Sequence, residues 1–253
     1  MYFTWLDNNS WLLELGGQRI LLDPWLVGSL TFGLLNNWDW LLKGSRKSDR
    51  AIPDNIDLLL LSQGLEDHSH PPTLKQIDRN IPVVASVNAA KVVENLGYTK
   101  VTILHPQQSF TFNNQVEITA FPGATMGPGI VENGYLLKEL GTNLTIYYEP
   151  HGFHSPQLQQ IAPVDVMITP IQEVSLPLVG AVLKGMNSAL ELAKWLNPRL
   201  ILPTAHEGDT LLEGFVTNIL QFQGSVEEFN SLLAKNNLQI KVLNPIPGER
   251  ISF

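Results

Sequence analysis

The 253-residue chain carries 16 Lys and Arg against 24 Asp and Glu, a formal charge of −8, with six histidines and no cysteine. The missing cysteine excludes disulfides, Cys-ligated zinc, iron–sulfur clusters and thiol nucleophiles, so any metal site must be made of His, Asp and Glu. The acidic balance argues against a nucleic-acid partner, which needs a broad basic face. The opening MYFTWLDNNSWLLEL lacks the basic n-region and small-residue cleavage site of a signal peptide. Pro, Gly or charge interrupts every apolar stretch short of a membrane span. These features predict a cytoplasmic protein with no transmembrane segment, folded as one domain over residues 1–253.

Strand-like runs punctuate the chain. In order they are Trp11–Leu15, Arg19–Leu22, Asp57–Leu61, Val83–Val87, Val101–Leu104, Val116–Phe121, Leu144–Tyr148, Val166–Thr169, Leu200–Pro203 and Ile240–Leu243. Several are continuously apolar, as strands covered on both faces are. Helices fall between them. Asn88 is placed to cap Ala89–Leu96, with Gly97 where a helix end favours a left-handed residue. Ser188 with Glu191, and Ser225 with Glu228, have the spacing of capping boxes ahead of Leu-rich stretches. The order predicts an α/β sandwich. Gly44–Arg50 (GSRKSDR) reads as a flexible polar loop. Two further loops, residues 25–42 and 174–186, are apolar yet rich in Gly, Pro or Asn. They read either as core-covering flaps or short helices, or as an apolar rim around a binding cleft.

The most informative stretch is Ile56–His70, IDLLLLSQGLEDHSH, in which an apolar strand runs into a turn holding Glu66, Asp67, His68 and His70. Ligands at the end of a buried strand are held rigidly, and adjacent Asp and His offer O and N donors suited to a divalent ion. The same residues could equally form a hydrogen-bonded turn capping the next helix. No Gly-rich phosphate loop, dinucleotide fingerprint or Gly-x-Ser-x-Gly elbow occurs. Tyr147 and Tyr148, adjacent in a strand, must point to opposite faces and read as packing residues.

The chain resembles the metallo-β-lactamase fold superfamily, nearest to its UlaG-like branch of metal-dependent hydrolases. The resemblance is carried by WLDNNSWLLELGGQRILLDPWL with its Asp23-Pro24-Trp25 turn, by Leu58–His68, by AFPGATMGPG, by NGYLL with IYYEPH, and by ILPTAH, all in family order. It implies a four-layer αββα sandwich. The family's His-x-His-x-Asp-His signature falls on Gln63, Leu65, Asp67 and His68, so Gln63 and Leu65 stand where the first two histidines belong. The histidine expected near Thr125 is also missing. Leucine cannot donate to a metal, and an amide oxygen is a weak neutral donor. The resemblance therefore implies one divalent ion at most (Zn, Mn or Fe), held by Asp67, His68, Glu149 and His206. Glu149 replaces the usual bridging Asp. Asp67 and Glu149 are the catalytic carboxylates on this reading, and Gln63, His70, His151 and His154 are candidate substrate contacts. Two functions follow as expectations. One is hydrolysis of an ester or phosphoester in a small, apolar substrate. The other is a non-catalytic descendant that binds a small molecule or a partner protein in the same cleft.

Overall fold

The computed structural model describes residues 1–31, 41–125, 131–178, 180–205 and 208–253. The first strands are β1 (Tyr2–Asp7), β2 (Ser10–Leu15), β3 (Gln18–Leu22), β4 (Lys43–Arg46) and β5 (Leu58–Leu61). Helix α1 (Pro71–Leu74), β6 (Val83–Ala85), α2 (Val87–Asn95) and β7 (Val101–Ile103) follow. Next come β8 (Ser109–Phe112), β9 (Val116–Thr125), β10 (Val131–Glu139), β11 (Thr145–Tyr148) and β12 (Val166–Thr169). Then β13 (Glu173–Leu176), β14 (Gly180–Leu183), α3 (Met186–Leu196), β15 (Leu200–Pro203) and β16 (Thr210–Glu213). The last elements are β17 (Gln221–Gln223), α4 (Val226–Lys235), β18 (Lys241–Val242) and β19 (Arg250–Ser252).

Contacts divide the chain into two compact units. The first comprises Met1–His105, Glu207–Ile219 and Ile246–Phe253; the second comprises Pro106–His206 and Leu220–Pro245. In the first unit a seven-stranded sheet runs β19-β1-β2-β3-β5-β6-β7. Strands β19 to β3 pair antiparallel, and β3, β5, β6 and β7 pair parallel. The run Leu58–Leu61 is buried throughout, as a parallel strand covered on both faces must be. Leu59 and Leu61 join Leu21, Val83, Ala85 and the Ala89, Ala90 and Val93 face of α2 in one apolar cluster. Each such leucine contributes about 1.5–3 kcal/mol by its burial.

The second unit repeats this plan. Its sheet runs β18-β15-β12-β11-β10-β9-β8. Strands β8 to β11 pair antiparallel and β11, β12, β15 and β18 parallel. Helices α3 and α4 supply Ala189, Leu192, Leu196, Phe229 and Leu233 to a core shared with Tyr147, Met167 and Ile201.

Several local expectations are corrected. Helix α2 begins two residues earlier than Asn88 implies, because the Ser86 hydroxyl accepts from Ala89 N. Helix α3 starts at Met186 behind Gly185, and Ser188 Oγ donates instead to the Gly152 carbonyl. Ser225 does cap α4 through Glu228 N, and Gly97 has φ +89° after α2. Gly44–Arg50 is no flexible loop: its first residues lie in β4, paired with β16, and the Arg46 side chain is buried. Residues 174–186 form neither flap nor helix but chiefly the hairpin β13–β14, with β17 on its other side, leaving Leu178 fully exposed. In the loop 25–42, Trp25, Leu26 and Leu30 are buried, and residues 32–40 lie outside the described residues. Among the described residues no helix is long and apolar enough to cross a membrane.

Candidate functional site

Each unit carries an acid–proline pair directly after the strand at which its sheet changes from antiparallel to parallel. These are Asp23-Pro24 after β3 and Glu149-Pro150 after β11. In α/β folds, carboxyl ends of strands at a change of topology are where ligands bind.

In the first unit the chain leaves β5 at Leu61 and turns across the strand ends. Ser62 N donates to Asp23 Oδ1 at 2.7 Å, and Ser62 Oγ donates to Asp23 Oδ2. His68 Nδ1 lies 2.8 Å from Asp23 Oδ2, and its Nε2 lies 3.3 Å from Asp67 Oδ2. His68 and Asp23 are wholly buried, whereas the Asp67 side chain is 15% exposed. Burial opposes protonation of His68, but the carboxylates of Asp67 and Asp23 outweigh it and raise the imidazole to about 10. The turn itself is held by His68 N and Ser69 N donating to Leu65 O, and by Ser69 Oγ donating to Gln63 O. Thr31 N fixes Glu66 at 2.7 Å. A side chain at Gly64 would meet Asn88 Cβ at 2.7 Å, so the turn seats directly on α2.

His70 has a different environment. Thr73 Oγ1 accepts from Leu26 N and Val27 N, so its own hydrogen points to His70 Nδ1 at 3.0 Å. That assigns the remaining proton to Nε2, which faces Ser29 O at 3.4 Å. Burial lowers the His70 pKa. Gln63 is wholly buried in the same segment.

In the second unit Glu149 is wholly buried, and its Oε2 accepts from His151 N at 3.2 Å and Phe153 N at 2.8 Å. The carboxylate thus caps its own turn. Gly152 (φ +75°) closes that turn so tightly that a Cβ would stand 2.0 Å from Lys184 O. Lys184 N donates to His151 O at 2.9 Å. His154 Nδ1 lies 3.9 Å from Glu149 Oε2, and its Nε2 lies 3.5 Å from Thr169 Oγ1. Burial, with the charge of Lys184, pushes His154 down to about 3. Tyr147 sets its ring edge-on to His154 at 6.0 Å. Its hydroxyl is buried without a hydrogen bond among the described residues, and burial beside Glu149 pushes its pKa well up. Gly134 makes room for both groups, since a Cβ there would meet Tyr147 Oη at 2.9 Å and Glu149 Cγ at 3.1 Å.

The structure therefore brings Asp67 and His68 together, with Gln63 and His70 in the same segment, and gathers Glu149, His151 and His154 in one turn. His206 lies outside the described residues. Sequence reasoning missed Asp23 as the partner of His68. An acid placed between an apolar strand and a proline was the available signal. It also read Tyr147 as packing alone, and nothing in the sequence marks its hydroxyl as lacking a partner among the described residues.

The first-unit donors suit a divalent ion. At 3.3 Å, His68 Nε2 and Asp67 Oδ2 are spaced as two ligand atoms whose bonds to one ion are about 2.0–2.2 Å. Asp23 on the opposite ring nitrogen orients the imidazole, as carboxylates behind ligating histidines do.

Comparison with known proteins agrees with this fold. The model of the β-lactamase superfamily domain matches residues 2–205. A UPF0173 metal-dependent hydrolase of Thermodesulfovibrio yellowstonii is 22% identical over 272 residues, covering 99% of this chain and 91% of that protein. Among solved structures, Igni18, a metallo hydrolase of Ignicoccus hospitalis, superposes with a TM-score of 0.69 at 17% identity, covering 100% of this chain and 97% of its own. An isothiocyanate hydrolase from Delia radicum gut bacteria gives 0.71 at 15% identity, covering 100% and 99%. The α/β class expected from the sequence is thus the class of the fold. The chain belongs to the β-lactamase superfamily.

Proposed function

We propose that this protein is a metal-dependent hydrolase working with one divalent ion (Zn, Mn or Fe), and that it cleaves an ester or phosphoester of a small, apolar substrate. The observation that carries this reading is the buried His68 held between Asp23 and Asp67, beside Gln63 and Leu65 at the positions of a first metal site. Asp67 and His68 are the ligands that the geometry supports. Glu149 and His206 join them by family order, not by a measured distance. Bound there, such an ion supplies Lewis-acid polarisation of the scissile bond. Asp23 fixes the ring of His68 and, by holding Nδ1, turns Nε2 toward the ligand side. Asp67 and Glu149 are the carboxylates assigned to proton transfer. Glu149 also keeps the backbone of its turn in place.

Elemental analysis of untagged, chelator-free protein tests this. About one equivalent of a transition metal is expected, lost on His68→Ala or His206→Ala. Below roughly 0.1 equivalent after reconstitution, the hydrolase reading fails. The second reading, a non-catalytic binder, is favoured by Gln63 and Leu65 at histidine positions, and it predicts that metal-free outcome. Intact metal content in His206→Ala would remove His206 from the ligand set.

A further inference from the structure

The strand end at Arg46, unused by the reading above, holds a desolvated cation. Its side chain is 1% exposed, and its guanidinium lies 4.4 Å above the Trp25 ring. None of its three nitrogens has a hydrogen-bond partner among the described residues. The carboxylate facing it, Asp7 Oδ2, is 3.7 Å from Nη2, beyond hydrogen-bond range. Asp7 is already taken by other donors. Its Oδ1 accepts from Asn8 N at 2.8 Å, and its Oδ2 from Asp209 N at 3.2 Å and Thr210 Oγ1 at 3.4 Å. Arg50, four residues on, pairs with Asp209 yet keeps a buried Nε without a partner among the described residues.

A guanidinium carries five N–H groups in one plane. Stacking on an indole engages its face and leaves the in-plane edge for acceptors. Trp25 is a firm platform: it is wholly buried, and its Nε1 donates to Gly28 O at 3.1 Å. The charges of Asp7, Asp49 and Asp209 act on Arg46 together with that of Arg50, so charge is already met and the unmet requirement is for acceptor atoms in that plane. Planar, bidentate acceptance is what a carboxylate or phosphate offers. We propose that Arg46 is the recognition group of an oxyanion subsite in the first unit, taking the carboxylate or phosphate of a small ligand through the in-plane edge of its guanidinium. The subsite does not rest on the hydrolase reading.

The test uses the full chain after EDTA treatment, at ionic strength held constant with NaCl. Inorganic phosphate and acetate are titrated separately while melting temperature and tryptophan fluorescence are followed. At least one should give a saturable rise of about 3–6 °C at ten times its Kd. A fluorescence change should accompany it, since Arg46 lies on Trp25. Response to phosphate alone, or to acetate alone, identifies the oxyanion. Arg46→Met should abolish the effect, and Arg46→Lys, which keeps the charge but not the planar edge, should weaken binding at least about tenfold. Arg199→Met, at a side chain 69% exposed in the second unit, should leave it unchanged. No saturable response at matched ionic strength, or equal affinity in Arg46→Lys and wild type, overturns the proposal. If Arg46→Met does not fold, Arg46→Lys decides.

Discussion

Asp23 and Glu149 occupy the same place in their two units, yet they serve different neighbours. Asp23 reaches sideways to the end of the adjacent strand, accepting from Ser62 and holding His68. Glu149, one methylene longer, curls back to accept from the backbone of its own turn. The imidazoles beside them diverge in consequence. His68 sits between two carboxylates and is held protonated, whereas His154 is buried near Lys184 and held neutral. A shared topology fixes where an acid stands; side-chain length and the local charges decide what it does.

The largest test of that contrast is steric. Gly152→Ala forces a Cβ to 2.0 Å from Lys184 O at a positive φ, and should cost about 3–5 kcal/mol or prevent folding. Gly64→Ala, whose Cβ would meet Asn88 Cβ at 2.7 Å, should cost less, about 1–3 kcal/mol. Urea titration ranks the two, and the reverse order would show that the second turn is the more yielding.

Next in size is the exchange of acid for amide. Asp23→Asn places an amide on His68 Nδ1 and should weaken metal binding about 10- to 100-fold, read by competition with a chelator. Glu149→Gln keeps an oxygen that can accept from His151 N and Phe153 N. It should therefore change urea stability by less than about 1 kcal/mol, while Glu149→Ala should lose about 2–3 kcal/mol. If the two losses match, the turn does not depend on that acceptor.

The pH dependence of the metal-free protein should separate the two histidines. His68 is raised to about 10 in the folded state, so its contribution is complete below about 6.5 and is lost as pH climbs from there toward 10. His154 is lowered to about 3, so the unfolded chain takes up its proton first and stability falls as pH drops from about 6.5 toward 3. His68→Gln should flatten the alkaline limb and His154→Gln the acid limb of the urea midpoint. Both acting on one limb would break the comparison. A small effect is also expected of Leu65→Ala: a half-buried side chain should cost about 1 kcal/mol and leave metal content unchanged.

Much of this was legible in the sequence. Continuous apolar runs marked the central parallel strands, and the strand-end position of Asp67 and His68 followed from Leu58–Leu61. The helix starts were less legible, because Ser86, Asn88 and Ser188 are all competent caps and only tertiary contacts decide which one acts. The Gly44–Arg50 stretch misled for a related reason. Its charges resemble those of a solvated loop, and only the fold shows Arg46 against Trp25 and Asp7. The pairing of Asp23 with His68 joins positions 45 residues apart, which no local pattern records.

The way the first unit is assembled bears on how the chain is made. Its sheet begins with residues 2–22, yet β19, which flanks β1, is supplied by Arg250–Ser252. During synthesis the outer edge of β1 stays open while the roughly 140 residues after His105 are added, on the order of ten seconds. An open edge beside buried Phe3 and Trp5 is a template for pairing with other chains. The last strand therefore acts as a late seal, and a ribosome-stalled chain lacking residues 246–253 is the species in which that edge would be exposed to aggregation.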